Sequence, residues 1–259
     1  MTNILQEIAA HKRSEVAQLK TELTLSEIEN QLETDDRLDF GAALLRSDRV
    51  NIIAEIKKAS PSRGVLIEDF DIEKLAASYR DGGAAALSVL ADKKYFQGSP
   101  EYVATAKSVS RLPVLYKEFI VDEFQIPYAR LKKADSILLI VSILKDDEIK
   151  SMIKLAEKCC LDVIVEVHDS SEAKIAIDCG AQIIGVNNRN LKNFSVSLKT
   201  SESMSAIIPD DIIKIAESGI FEPADIRHLK EFGYNCFLIG EALIKSTDPV
   251  NLLRSLVSA

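Results

Sequence analysis

From residue 50 onward the chain repeats one unit: a short apolar run, a turn, then a stretch with helical periodicity. The runs cover 50–56, 85–90, 113–116, 136–141, 161–167, 182–186, 212–216 and 236–239, all rich in aliphatic residues. Runs this short and this continuously apolar have the pattern of strands buried on both faces, as parallel strands are. Parallel neighbours need a crossover, and the intervening stretches carry helix signals. Asp71 is placed to cap a helix starting at Ile72, and Ser99 with Pro100 reads as a cap followed by a first-turn proline. Asp122 with Gln125, and Asp169 with Glu172, have capping-box spacing. Gly180 and Gly233 fall where helices end, and Pro223 and Pro249 where they begin. Eight strand–helix units between residues 50 and 259 have the size and rhythm of a (β/α)8 TIM barrel. A doubly wound sheet usually shows a glycine-rich dinucleotide turn after its first strand. Here residues 57–64 hold no G-x-G-x-x-G, so the expected class is α/β, a (β/α)8 barrel.

The first 49 residues differ. Ile4, Leu5, Ile8, Val16 and Leu19 recur at helical spacing with Lys12, Arg13, Glu15 and Lys20 between them, which predicts an amphipathic helix. Shorter helices are expected over 26–32 and 40–45. No Gly/Ser-rich or Pro-rich linker follows. Residues 1–49 are therefore expected to form a helical extension packed on the barrel of residues 50–259, the whole acting as one functional domain.

Composition narrows the partners. With 47% apolar residues in 259 the chain can bury a sizeable core, which excludes a disordered protein. Lys and Arg total 32 against 40 Asp and Glu, a net charge of −8 that repels nucleic-acid backbones and anionic lipid. Neither nucleic acid nor membrane is expected as a partner, and an anionic ligand must be held by a local positive site. No apolar run reaches the roughly 18–20 residues of a membrane span, and the amino terminus lacks the apolar stretch of a signal peptide. Cys159, Cys160, Cys179 and Cys236 show no metal-like pairing and read as reduced, mostly buried thiols of a cytoplasmic protein. With three histidines, none at ligand spacing, no metal is expected. His11 and His228 read as helix-surface residues.

In a barrel of this kind the chemistry sits at the carboxyl ends of the strands. The first run ends in Glu55 and Lys57, the third in Lys117 and Glu118, the fifth in Glu166 and His168, the sixth in Asn187 and Arg189, the seventh in Glu217 and Ser218. Alternation puts Glu55 and Lys57 on one face with Ile53 beneath them, and Glu166 on the face of Ile164. Charges at the edge of a barrel core are costly unless they pair or work, so this ring reads as a site for proton transfer. Gly219 and Gly240, after the seventh and eighth runs, stand where backbone must approach a ligand closely and suggest a phosphate monoester. Glu241 would repel that phosphate, and its side chain is expected to point away. Phe96 and Phe119 either line an aromatic pocket or pack at the rim. The loop Ser60–Pro61–Ser62–Arg63–Gly64 is long enough to act as a lid. The Asp146–Asp147–Glu148 run reads as a helix start.

Several of these motifs are familiar. The run from Ile53 through Glu55, Lys57 and Ser60 to Gly64 resembles the first-strand signature of the indole-3-glycerol phosphate synthase family of tryptophan biosynthesis. So do 86–90 with 96–99, 165–168, 184–191, 216–220 and 238–243, a likeness that covers almost the whole chain. Two departures are Glu118, where the family more often has aspartate, and Arg63, where lysine is common. The first leaves open what supports Lys117 electrostatically.

The resemblance implies ring closure of 1-(2-carboxyphenylamino)-1-deoxyribulose 5-phosphate to indole-3-glycerol phosphate, with loss of carbon dioxide and water. It implies Lys117 as general acid ahead of Lys57, and Glu166 for later proton exchange. Glu55, Asn187 and Glu217 would support them. Lys57 would steer a substrate anion, and Arg189 beside Asn187 would hold the anthranilate carboxylate. Ser218, Gly219 and Gly240 would cradle the phosphate, with Ser60, Phe96 and Phe119 completing the substrate site. No cofactor is expected, because the departing carboxylate sits on a carbon that becomes part of a cationic intermediate. The chain is expected to work as a monomer. Two other readings remain: an aldolase using a Schiff-base lysine on a sugar phosphate, and a non-catalytic phosphate-binding barrel.

Overall fold

The computed structural model describes residues 4–32, 37–61, 63–190 and 194–259. Ser62 of the expected lid lies outside the described residues, as does Leu191 of the sixth motif. The eight apolar runs become β1 (Asn51–Ile56), β2 (Ala86–Leu90), β3 (Val114–Lys117), β4 (Ser136–Ile140), β5 (Asp162–Val167), β6 (Ile183–Asn187), β7 (Ile213–Glu217) and β8 (Cys236–Ile239). Each pairs in parallel with the next, and β8 pairs with β1 through Asn51 opposite Cys236, closing the barrel.

Three helices precede the barrel: α1 (Ile4–Glu22), α2 (Leu25–Glu29) and α3 (Phe40–Leu44). Among the described residues the connections then supply α4 (Ile72–Asp81), α5 (Lys93–Phe96), α6 (Glu101–Ser110), α7 (Gln125–Leu131), α8 (Asp146–Lys158), α9 (Ser170–Asp178), α10 (Lys199–Ser205), α11 (Pro223–Lys230), α12 (Glu241–Lys245) and α13 (Pro249–Val257). After β1, Ala59–Ser60 and Gly64–Val65 pair antiparallel as a short hairpin.

Most caps follow from the residues that suggested them. Asp71 accepts from the Lys74 N–H at 3.0 Å, and Asp169 from the N–H groups of Ser171 and Glu172. Pro223 and Pro249 occupy first-turn positions. Gly180 and Gly233 take left-handed φ values of 89° and 82°, a conformation glycine adopts without steric cost. Other local expectations shift. Pro100, not Ser99, is the cap residue of α6, although Ser99 Oγ accepts from the Glu101 N–H at 3.3 Å. Helix α2 starts earlier than expected because Thr24 and Glu27 form a complete capping box. Glu172 turns its carboxylate to the N–H of His168 instead of Asp169. The expectation of mostly buried thiols holds for Cys179 and Cys236 only. Cys159 is half-buried, and Cys160 is exposed in a left-handed turn (φ 56°) after α8, where a side chain must project outward.

Strand alternation divides the core into two shells. Ile53, Ala86, Leu115, Leu138, Ile164, Ile183, Ile215 and Leu238 fill the lumen. Ile52, Leu87, Val89, Val165, Ala216 and Phe237 face outward into the layer beneath the helices. Helix α3 closes the end where the strands begin, with Phe40 and Leu44 packed into the lumen cluster. Polar contacts hold it there: Asn51 Nδ2 donates to the Leu44 carbonyl at 2.8 Å, and the Gly41 N–H donates to Asp162 Oδ2 at 3.0 Å. With one end sealed by apolar side chains, polar chemistry is confined to the other. Phe40→Ala is expected to lower the unfolding free energy by about 3–5 kcal/mol, measured by urea denaturation, because the lumen walls cannot collapse into the space.

Candidate active site

At the open end the apolar lumen gives way to one layer of charge. Glu55 and Lys57 from β1 and its end, Lys117 from β3, Glu166 from β5, Asn187 from β6 and Glu217 from β7 all line a single cavity of about 240 Å³. Two glycines make room for the carboxylates. A Cβ on Gly185 would overlap the Glu217 carboxylate, and one on Gly240 would overlap that of Glu55. The sequence points to Gly240 for its approach to a ligand; the structure adds that it leaves space for Glu55.

Lys117 lies at the centre of this layer. Its Nζ is 3.0 Å from Glu217 Oε2 and 3.3 Å from Glu166 Oε2. Glu166 Oε1 accepts from Asn187 Nδ2 at 3.2 Å and lies 3.2 Å from His168 Nε2. The opposite ring nitrogen, His168 Nδ1, is 3.0 Å from Glu172. Lys57 pairs with Glu55. Burial alone would discharge Lys117, but Glu217, Glu166 and Glu55 together hold its pKa above the ordinary lysine value. Glu166 is likewise buried, yet Lys117, His168 and Asn187 keep it well below the usual carboxylate range. In Glu217 burial wins over Lys117, and Glu166 repels it further, so its carboxyl is pushed up to about 7. Burial opposes charge on His168 too, but its two glutamates raise it to about 10. The layer thus holds a charged lysine between an ionised glutamate and one that titrates near neutrality.

Around the mouth, Phe96 and Phe119 face each other with ring centroids 5.9 Å apart, and both line the cavity. Ile4, Leu5 and Ile8 of α1 line it as well, as does Ser60. Ser218 and Gly219 follow β7 with φ values of 65° and 80°. This strained turn is anchored by Asn188, whose Nδ2 donates to the Ser218 carbonyl at 3.2 Å. The expectation for Glu241 is overturned. Its carboxylate does not turn away but lines the mouth, 2.9 Å from Arg63, 3.0 Å from Arg189 and 2.7 Å from Lys245. Three cations hold it there. The question raised by Glu118 is also answered: it accepts from Lys12 and the Phe119 N–H, so Lys117 draws its support from Glu217 and Glu166. Among the described residues no group of three or more His, Cys, Asp or Glu is arranged to hold a metal ion, and no helix is long and apolar enough to cross a membrane.

The family model described as indole-3-glycerol phosphate synthase matches residues 5–256. The chain belongs to this family. An indole-3-glycerol phosphate synthase from Chlorobium luteolum is 46% identical over 250 residues, covering 96% of this chain and 95% of that protein. One from Thermoanaerobacter pseudethanolicus is 40% identical over 254 residues, covering 98% and 97%. Among solved structures, a 3-hexulose-6-phosphate synthase superposes with a TM-score of 0.64 at 13% identity, covering 80% of this chain and 97% of that one. KGPDC from Streptococcus mutans gives a TM-score of 0.61 at 12% identity, covering 80% and 95%. At such identities these two share the fold alone.

Every site residue expected from the motifs of this family lines the one cavity. The sequence reading placed His168 in the ring of strand ends without a partner and Glu172 in a helix cap, and gave no role at the site to Gly185, Asn188 or Lys12. His168 ends one of the family motifs, just before the cap of α9, and Glu172 follows it four residues later. Gly185 carried no signal, since its role depends on a carboxylate from the neighbouring strand. Gly185→Ala is expected to displace Glu217 from Lys117 and to lower turnover by about ten-fold or more with the fold intact. Turnover assays alongside circular dichroism check this.

Proposed function

We propose that this chain closes the pyrrole ring of indole-3-glycerol phosphate from 1-(2-carboxyphenylamino)-1-deoxyribulose 5-phosphate, with Lys117 as general acid. The observation that carries the reading is Lys117 held as an ammonium between Glu166 and Glu217, at the centre of a cavity walled by Phe96 and Phe119. The ring carbon that bears the carboxylate attacks the ketone, and the oxygen takes a proton from Lys117. An alkoxide is more basic than an amine, so this transfer runs downhill even from an ammonium so strongly stabilised. Carbon dioxide then leaves, and its bonding electrons restore the aromatic ring.

Dehydration follows. The C–O bond breaks with the hydroxyl taking up a proton and leaving as water, while a base takes the proton lost from the neighbouring carbon and the two carbons become doubly bonded. Glu166 is held ionised chiefly by the Lys117 charge. Once Lys117 has given up its proton, that charge is gone and Glu166 becomes more basic, which fits it to the later step. Glu217 and Glu55 balance the two lysines, and Asn187 orients Glu166. Lys57 and Arg189 steer the substrate anions, with Arg189 assigned to the anthranilate carboxylate. Ser218, Gly219 and Gly240 form the phosphate cradle beside Ser60. The Glu241 carboxylate between Arg63 and Arg189 marks a place where an anion is stable, which supports this assignment.

A Schiff-base lysine must be neutral to attack a carbonyl, and a lysine whose pKa is raised is unsuited to that role. The chain is read as a cytoplasmic monomer. In keeping with a reducing compartment, Cys159, Cys160, Cys179 and Cys236 are free thiols.

Incubation with the carboxyphenylamino-deoxyribulose phosphate is expected to release carbon dioxide and produce indole fluorescence, with no covalent trapping by borohydride. Lys117→Ala should lower turnover by about two to three orders of magnitude while the fold survives. Near-normal turnover in that variant would remove Lys117 from the chemistry. Glu217 is needed as a carboxylate, so the wild-type rate should rise with pH through an acid limb near 7.

A further inference from the structure

Helix α1 contributes more than apolar cover to the mouth. Lys12, on the face of α1 turned to the barrel, is only 4% exposed and lies among three carboxylates. Its Nζ is 2.9 Å from Asp92 Oδ2, 3.0 Å from Glu118 Oε2 and 2.8 Å from Glu15 Oε2. Asp92 and Glu118 are themselves buried, and each has a second attachment. Asp92 Oδ1 accepts from the N–H groups of Tyr95 and Phe96 at 2.6 and 3.3 Å, capping α5. Its carbonyl accepts from the Gly98 N–H at 2.8 Å. Glu118 Oε1 accepts from the Phe119 N–H at 2.8 Å. One ammonium therefore joins two carboxylates, each of which fixes the backbone of one ring of the Phe96/Phe119 pair.

We infer that Lys12 is a positioning residue that sets the spacing of the Phe96/Phe119 slot, and through it the fit of an arylamine ring. The inference rests on the proposed reaction, since it assigns that slot to the anthranilate ring of the substrate. Without the ammonium, Asp92 and Glu118 are two buried acids with no cation between them, and they repel. Relief comes by separation, by protonation or by admitting water, and each route disturbs the backbone carrying one phenyl ring. Further contacts between the same two elements stabilise the tie: Tyr95 Oη donates to Glu7 at 3.2 Å, and the Tyr95 ring meets that of His11 edge-on at 5.9 Å. Phosphate recognition, built from the loops after β7 and β8, lies outside this chain of contacts.

The test compares Lys12→Met with wild type in steady-state turnover, using anthranilate and inorganic phosphate as separate competitive inhibitors. In Lys12→Met, KM and the inhibition constant of anthranilate should each rise by about ten-fold, kcat should stay within about two-fold, and phosphate inhibition should be unchanged. Equal weakening of both inhibitors, a fall in kcat alone, or a lower melting temperature with unchanged KM would each overturn the inference. Lys12→Arg keeps the charge but spreads it over a plane that cannot meet three carboxylates at one point, and should raise KM by about three-fold. If Lys12→Met does not fold, a wild-type KM in Lys12→Arg would assign Lys12 to stability alone. Wild-type turnover in the same assay tests the proposed reaction itself, so its failure is distinguishable from that of Lys12.

Discussion

The structure depends on a buried cation that the surrounding acids hold in its charged form. An ammonium in a dry barrel mouth is unstable by itself, and so is each carboxylate near it. Lys117 with Glu166 and Glu217 resolves this collectively, because each charge is tolerable only while the others are present. The same interdependence makes the set reactive. When one proton moves, the basicity of every other member changes.

That layer needs walls of a particular shape. Alternation along the strands supplies lysine and glutamate on four of them, but the carboxylates fit only because β6 has Gly185 and β8 is followed by Gly240. The apolar side chains beneath and the α3 plug keep water from entering the layer from the other end. The extension is likewise part of the site: α1 lines the mouth with Ile4, Leu5 and Ile8 and places Lys12 beside Asp92 and Glu118.

The barrel was legible because its signals are local. Aliphatic runs, first-turn prolines and terminal glycines each report on a few neighbouring residues, and the strand ends alone put Lys117, Glu166 and Glu217 in register. The Thr24 box was equally local and was overlooked. What stayed hidden involves partners distant in sequence. Lys12 and Glu118 are 106 residues apart, and no pattern in α1 reveals what its lysine will meet. Glu241 was misjudged because repulsion from a ligand was weighed without Arg63, Arg189 and Lys245, which the fold brings to it. His168 was legible as a strand-end residue, but not that its ring is fixed between Glu166 and Glu172.

The plug at the sealed end bears on assembly. Asn51 pairs with Cys236, so the last seam of the ring joins segments from opposite ends of the chain, and Phe40 sits inside the circle that this seam completes. A contact so distant along the chain carries a large loop-closure cost. Phe40 and Leu44 pack against lumen residues from several strands, so the seat of α3 is complete only when the ring is closed. The docking of the amino-terminal segment and the closure of the ring are in this respect coupled, so a change that loosens the seam also loosens the plug.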